Sequence, residues 1–272
     1  MKILKGLLFF FFMTIMGSMN AQDIHFTQFY LSPLTTNPAY TGAFEGTFRI
    51  GGIYRDQWGG VISSPYRTPS FYVDAPILMV GKRSWLGVGG MMYADKAGQL
   101  DLSTNQFMGS AAIHLALDPK MKSIFTFGIQ AGYTNRSVDI ANATFGNEIQ
   151  NGQIPGGDES VFSSNYFDMN VGALLKSQLN DQMRIEIGLA ADNLLTADYH
   201  LNDSSIDADS TAGSASVDGR DAWENPSLFL LHGQFFIDLT DKIQAKPAFL
   251  FQSKSGANEI MIQAIGGYHL NE

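Results

Sequence analysis

The sequence contains no cysteine among its 272 residues. Disulfide bonds, thiolate metal sites, a cysteine nucleophile and a lipid-modified N-terminal cysteine are therefore excluded. Charged residues are also scarce, at 16% of the chain against roughly 25% in soluble proteins. No stretch after the N-terminal region reaches about 18 consecutive apolar residues, so any membrane crossing would have to be made by strands.

Basic residues are few relative to acidic ones, with 17 Lys and Arg against 26 Asp and Glu. Nucleic-acid binding needs a basic surface, so this balance argues against it. The N-terminus has a secretory pattern: Lys2 and Lys5 precede an apolar run, residues 6–16, and the small residues of 17–21 follow. Residues 1–21 are predicted to be a signal peptide cleaved before Gln22. Cleavage leaves 15 basic and 26 acidic residues, a net charge of −11.

Hydrophobic and polar residues alternate with a period of two in about ten stretches between residues 46 and 272. The connectors between these stretches alternate in length. Long ones follow segments that end near Gln57, Asp95, Val138, Thr196 and Gln252, and short ones occupy 78–84, 117–123, 178–182 and 239–242. Long outer loops and short periplasmic turns are typical of outer-membrane proteins. The pattern predicts an all-β, up-and-down antiparallel transmembrane β-barrel over residues 46–272.

The stretch 123–134 shows the alternation most clearly. Phe125, Phe127, Ile129 and Tyr133 fall on one face, which we expect to meet lipid, while Thr, Gly and Gln residues fall on the other. The aromatic pairs Trp85/Tyr93 and Phe125/Tyr133 are eight residues apart, which spans roughly 19 Å in a tilted strand and is close to the apolar band of about 25 Å. We interpret them as two lipid-facing girdles. The alternative is the core of a soluble β-sandwich.

Two features do not fit a closed barrel. Pro247 lies inside the stretch 242–253 and cannot donate to a strand ladder, so a bulge or local break is expected there. The final residues, 269–272, resemble the start of another turn rather than the end of a strand. We therefore expect the barrel to be truncated at its C-terminus.

The segment before the first stretch, residues 22–45, is aromatic and interrupted by proline, and it does not alternate. Pro33, Pro38 and Gly42 impose turns on it. We expect this segment to enter the barrel lumen or to form a periplasmic docking surface, with the mature N-terminus on the periplasmic side.

This segment also carries a family resemblance. The motif of residues 26–29 (FTQF), the spacing from Pro33 to Asn37 and Pro38, Gly42, and the later motif of residues 54–58 (YRDQW) resemble the PorP/SprF family of type IX secretion system membrane proteins. The resemblance is strongest over residues 22–80. It implies a non-enzymatic outer-membrane β-barrel of Bacteroidota that assists the export and surface anchoring of adhesins with type B C-terminal sorting domains, as in gliding motility. It also implies a possible partner, a periplasmic OmpA-like lipoprotein that binds peptidoglycan.

The residues themselves predict no catalytic, cofactor or metal site. The five histidines are dispersed, and residues 87–90 (GVGG) lack the context of a nucleotide-binding loop. Arg184, Glu186 and Asp192 share a predicted lumen face, where a structural salt-bridge network is favoured over a catalytic or ion-selective cluster. The acidic region 199–225 departs from the calcium-loop pattern and is interpreted as a solvated loop, although calcium binding stays open.

Six residues are candidates for partner binding: Gln28, Pro33, Asn37, Pro38, Arg55 and Trp58. Arg and Trp are common in binding hot spots, but Trp58 could equally be a girdle residue beside an Arg–Asp pair that holds the first outer loop. The expected partners are a large secreted surface protein, membrane lipid and the lipoprotein. The alternatives to an interaction protein are a passive outer-membrane pore or small-molecule transporter and, with less support, an outer-membrane hydrolase.

Overall fold

One antiparallel sheet dominates the protein. The computed structural model describes residue 26 and residues 28–60, 65–97, 102–139, 161–195, 198–199, 223–224 and 226–268. Ten strands form the sheet: β1 (Arg49–Gln57), β2 (Tyr66–Val80), β3 (Ser84–Ala97), β4 (Leu102–Ala116), β5 (Ser123–Asp139), β6 (Val161–Asn180), β7 (Met183–Asp192), β10 (Leu228–Asp238), β11 (Ile243–Lys254) and β12 (Ala257–Tyr268). Two two-residue strands, β8 (Asp198–Tyr199) and β9 (Trp223–Glu224), pair with each other.

Strands that follow one another in the sequence are neighbours in the sheet, whose order runs from β1 to β7 and then from β10 to β12. The connectors at 81–83, 117–122, 181–182 and 239–242 lie at one end of the strands, as predicted. Those at the other end include three long ones, 58–65, 140–160 and 193–227. The predicted alternation in length fails at the other two, 98–101 and 255–256, which are as short as the connectors at the first end. The prediction of an all-β, up-and-down antiparallel architecture is confirmed. The sheet has the order of a β-barrel wall, with β1 and β12 at its two ends.

The two faces of the sheet differ in polarity. Along β5, Phe127, Ile129 and Tyr133 are exposed on the outward face, while Thr126 and Gln130 are buried on the inward face. Neighbouring strands repeat this arrangement with outward Phe, Ile, Leu and Met residues. A soluble sandwich buries its apolar face instead, so the observed pattern is that of a wall with lipid outside and polar groups inside.

One predicted aromatic girdle is wrong. The indole of Trp85 faces inward, where its Nε1 donates a hydrogen bond to the carbonyl oxygen of Gly42 at 2.9 Å. Tyr93 also lies inward, against the buried cluster around Leu34. The second pair, Phe125 and Tyr133, is exposed on the outward face as expected. Trp85 and Tyr93 face inward because the residues before β1 provide a packing surface on that side of the sheet.

Pro247 causes a local break without a bulge. The β10–β11 ladder pairs Gln234 with Ala248 and Ile237 with Ala245 in one register, and no pair forms at Pro247 itself. On the other side, Pro247 is aligned with Ala264 of β12 in an uninterrupted register. The missing N–H thus costs local pairing and leaves the alignment of the strands intact.

In the described part of the chain, helical structure is confined to three single turns before β1. They are two 3-10 turns, Phe29–Leu31 and Pro38–Tyr40, and the helix α1 (Pro33–Thr36). Pro33 and Pro38 begin their turns, where the missing N–H has no cost. The Asn37 side chain caps the last turn by accepting a hydrogen bond from the N–H of Ala39 at 2.8 Å. Among the described residues, no helix has the length and apolarity needed to cross a membrane.

Candidate functional site

Residues 28–45, called the inner segment below, lie against the inward face of the sheet. Phe29 packs with Leu228 and Leu230 at the start of β10, near the long connectors. Ala43 and Glu45 instead line a cavity beside the short connectors. The segment therefore runs lengthwise through the interior before β1 begins. Its described start lies near the long connectors. A mature N-terminus on the periplasmic side predicts a start near the short connectors instead.

Asn37 attaches the inner segment to three strands. Its Nδ2 donates hydrogen bonds to the carbonyl oxygens of Ala173 in β6 and Leu189 in β7, each at 3.1 Å, and lies 3.0 Å from Nε2 of His232 in β10. Asn37 is fully buried. Buried donors and acceptors left unpaired cost about 1–3 kcal/mol each, so this one side chain strongly favours the observed position of the segment.

Four consecutive carbonyl oxygens of the inner segment, residues 40–43, are each bound by a side chain of the sheet. The donors are Arg49 to Tyr40 at 3.0 Å, His114 to Thr41 at 2.8 Å, Trp85 to Gly42 at 2.9 Å and Lys176 to Ala43 at 2.7 Å. The His114 ring stacks on Trp85, with ring centroids 4.5 Å apart. The interior thus binds this stretch through its backbone, using donors from four strands.

A buried carboxylate holds the junction between the inner segment and β1. Asp74 accepts two hydrogen bonds from the Arg49 guanidinium, at 2.9 and 2.8 Å, and a third from the N–H of Gly42 at 2.7 Å. Gly42 has φ +69° and lies against Gly87, so a side chain there would meet the backbone of β3. The turn at Gly42 therefore depends on the absence of a Cβ.

A row of small residues crosses five neighbouring strands beneath the inner segment. The strand registers align Gly87, Ala112, Gly128, Gly172 and Ala190 from β3 to β7. A Cβ on Gly128 would collide with the backbone of Pro38 and Ala39, and one on Gly172 would collide with Asn37. These residues allow the segment to approach the sheet. Sequence reasoning missed the row because the residues become neighbours only through strand pairing.

A basic cavity of about 680 Å³ lies between the end of the inner segment and the short connectors. Its charged lining consists of Glu45, Lys120, Lys122, Lys176, Arg184 and Glu186. Nζ of Lys176 lies 3.3 Å from Oε1 of Glu186, and Nε of Arg184 lies 3.9 Å from it. Four bases therefore face two acids in the lining of this cavity, and two of the bases approach the same Glu186 carboxylate.

This cavity contains two of the three residues predicted to form a lumen salt-bridge network. Arg184 and Glu186 lie together, but Asp192 lines a separate small cavity with Phe26 and Asn193. Among the described residues, no group of three or more His, Asp or Glu residues has the geometry of a metal site. The acidic region 199–225 lies outside the described residues except for 199 and 223–224, so calcium binding there stays a prediction.

The structure separates the six partner-binding candidates into two places. Pro33, Asn37 and Pro38 are buried in the inner segment, whereas Gln28 is exposed at its start. Arg55 and Trp58 lie at the far end of β1, where the first long connector begins. The Trp58 side chain is 62% exposed and its φ is +65°, an uncommon backbone state for a bulky residue. Asp56 pairs with Arg67 of β2 at 3.4 Å, rather than with Arg55.

Comparison with known proteins identifies one family. A protein-family model described as "Type IX secretion system membrane protein PorP/SprF" matches residues 18–270. A search of curated proteins gives no match. The family match covers both the inner segment and the ten-stranded sheet, so the two belong to one family fold.

Proposed function

The chain belongs to the PorP/SprF family of type IX secretion system membrane proteins, and we propose that it is a non-enzymatic component of the outer membrane that anchors exported cargo. The cargo would be a large surface protein with a type B C-terminal domain, such as an adhesin used in gliding. The proposed orientation in the outer membrane has the long connectors facing outward and the short ones facing the periplasm, as in other outer-membrane barrels.

The observation that carries this proposal is that the protein's own chain is bound lengthwise along the inward face of the sheet. Asn37, Asp74 and the donors to the carbonyl oxygens of residues 40–43 bind the inner segment across the width of the sheet. A passive pore needs a continuous aqueous lumen. A barrel with a segment bound to its inner face in this way is better suited to presenting a fixed surface to another protein.

The rim at the first long connector is the surface we propose for cargo. The left-handed backbone conformation of Trp58 costs on the order of 1–3 kcal/mol of folding free energy, and strained conformations of this kind are concentrated at functional sites. Arg55 lies on the same strand end, and Trp with Arg is a frequent hot-spot composition. Gln28 is exposed at the start of the inner segment. Pro33, Asn37 and Pro38 contribute indirectly, by fixing that segment in place.

The periplasmic end would meet a second partner. The short connectors carry five bases, Lys82, Arg83, Lys120, Lys122 and Lys242, against three acids, Asp118, Asp181 and Asp241. The basic cavity opens beside Lys120 and Lys122. This charge fits an acidic surface on a periplasmic lipoprotein that links the protein to peptidoglycan.

Site-specific photocrosslinking in cells tests the cargo surface. A photoreactive residue at Trp58 should crosslink to a large secreted protein. The matched control is Met121, which is also exposed with a positive φ but lies in a short connector. Crosslinking of cargo from Met121 and not from Trp58 would contradict the proposed orientation.

A further inference from the structure

A row of four aromatic residues and one methionine, called the aromatic row below, crosses the outward face of five neighbouring strands near the long connectors. The registers align Phe71, Met92, Phe107, Tyr133 and Phe167 from β2 to β6. All five are exposed, and the rings of Tyr133 and Phe167 meet edge to face at 5.3 Å. Such a row marks the level where the apolar band of a membrane wall ends.

A groove of about 480 Å³ lies at this level. Phe71, Met92 and Phe107 border it on the side of the apolar band, and Pro69 and Ala94 line it between β2 and β3. Small residues continue the depression below the aromatic row, since the next outward positions of β3, β4 and β5 are Gly90, Gly109 and Ala131. The shape can take a hydrocarbon chain that enters from the bilayer.

Two polar rows lie beyond the aromatic row on the same outward face, and the first of them also lines the groove. The first is an amide ladder of Asn105, Asn135 and Asn165, in which Asn135 Nδ2 donates to Asn165 Oδ1 at 2.7 Å. The second begins with two cations, Arg67 and Lys96, which are direct cross-strand partners. Ser103 is paired with Lys96 and continues this row.

Along the strands toward the long connectors, the apolar groove is therefore followed by a row of amides and then by paired cations with a hydroxyl. Asp56 is 3.4 Å from Arg67 and offsets part of one charge, but Lys96 is exposed beside it. Amides and serine bind sugar hydroxyl and acyl-amide groups, and adjacent cations bind phosphate. A phospholipid without a sugar would use the groove and the cations but would leave the amide row without a matching group.

We propose that this outward face of β2–β6 is a binding site for a phosphorylated glycolipid of the outer leaflet. One acyl chain occupies the groove, the sugar lies on the asparagine ladder, and a phosphate lies between Arg67 and Lys96. The assignment rests on the proposed outer-membrane orientation and is independent of any cargo.

Native mass spectrometry of the full-length protein in detergent tests the site, with bisphosphorylated lipid A as the probe and phosphatidylglycerol for comparison. The wild type should retain one lipid A molecule. Ala94→Trp, which fills the groove, and Arg67→Ala/Lys96→Ala, which removes the cations, should each weaken binding about tenfold or more, the effect of losing one charge-assisted contact. The charge-preserving Arg67→Lys/Lys96→Arg should bind nearly as the wild type.

Two controls match these changes elsewhere. Ala264→Trp places the same bulk on the outward face of β12, and Lys82→Ala/Arg83→Ala removes two exposed charges at the short connectors. Neither should alter lipid A binding, and circular dichroism checks that every variant is folded. Equal loss in controls and test variants, or binding that no variant changes, would mean an unspecific annulus and would overturn the proposal. Equal retention of phosphatidylglycerol by the wild type would overturn the glycolipid assignment. If the wild-type protein binds lipid A as expected but is isolated without cargo, that result counts only against the cargo proposal.

Discussion

Asp74 and Arg49 form a two-bond ion pair, at 2.9 and 2.8 Å, in which the Asp74 side chain has no exposed surface. The same carboxylate accepts the N–H of Gly42, and Arg49 donates to the carbonyl oxygen of Tyr40. One buried pair thus joins β1, β2 and the inner segment. Because a buried charge without its partner is costly, the position of the segment depends on this pair.

Asp74→Asn should destabilise the protein by about 3–5 kcal/mol, since it leaves the partly buried Arg49 guanidinium without a counter-charge. Thermal unfolding in detergent measures the effect. The control is Asp56→Asn, whose pair with Arg67 is more exposed and longer at 3.4 Å, and which should cost less than about 1 kcal/mol. Equal effects of the two changes would show that the buried pair has no special role.

Asn37→Asp should be more damaging than Asn37→Ala. A carboxylate keeps the shape of the amide but has no donor for the carbonyl oxygens of Ala173 and Leu189, which it would repel. We expect Asn37→Ala to cost about 1–3 kcal/mol and Asn37→Asp to cost more, as measured by thermal unfolding. Asn258→Asp, at an exposed position of β12, should have little effect. A milder effect of Asn37→Asp than of Asn37→Ala would contradict the donor role.

Gly128→Val should displace the inner segment, because a side chain there collides with the backbone of Pro38 and Ala39. Overpacking of this kind costs typically about 1–3 kcal/mol. If the segment closes the lumen, its displacement should raise conductance in planar bilayers above that of the wild type. Gly109→Val is the control, because its nearest neighbour lies 3.9 Å from the added Cβ. Steady conductance of the unaltered protein, unchanged by Gly128→Val, would favour the passive-pore alternative.

Arg55→Ala/Trp58→Ala should reduce the amount of cargo retained on the cell surface while the protein still inserts in the membrane. The paired control, Lys120→Ala/Met121→Ala, removes a base and a large exposed apolar residue at the opposite end of the strands. Surface cargo is measured by immunofluorescence on intact cells, and insertion by membrane fractionation. If the Arg55/Trp58 variant fails to insert, the two residues serve to hold the first outer loop.

The period-two pattern predicted much of the wall correctly. On β5, Phe127 and Tyr133 face outward and Thr126 and Gln130 face inward, because strand geometry alone decides which residues share a face. Trp85 was assigned to the wrong face, because a large apolar residue fits the period-two pattern whether it faces lipid or packs against protein. Its inward partner, Gly42, is remote in sequence and becomes visible only in the folded protein.

The site was predicted only in part. Motif resemblance singled out Asn37 and Pro38, but it could not indicate that they bind the inward face rather than an external partner. The row of Gly87, Gly128 and Gly172 depends on the registers of β3 to β6, and these registers cannot be read from one strand at a time. Spacing between inward glycines on successive strands is the signal that could have found it.

The central claim is that the protein anchors a secreted surface protein, and isolation of the tagged protein from its native outer membrane tests it most directly. Mild detergent should preserve the complex, and mass spectrometry identifies the proteins that accompany it. We predict recovery of a large surface protein with a type B C-terminal domain, reduced in the Arg55→Ala/Trp58→Ala variant and retained in Lys120→Ala/Met121→Ala. Isolation of the protein without any such cargo would contradict the account.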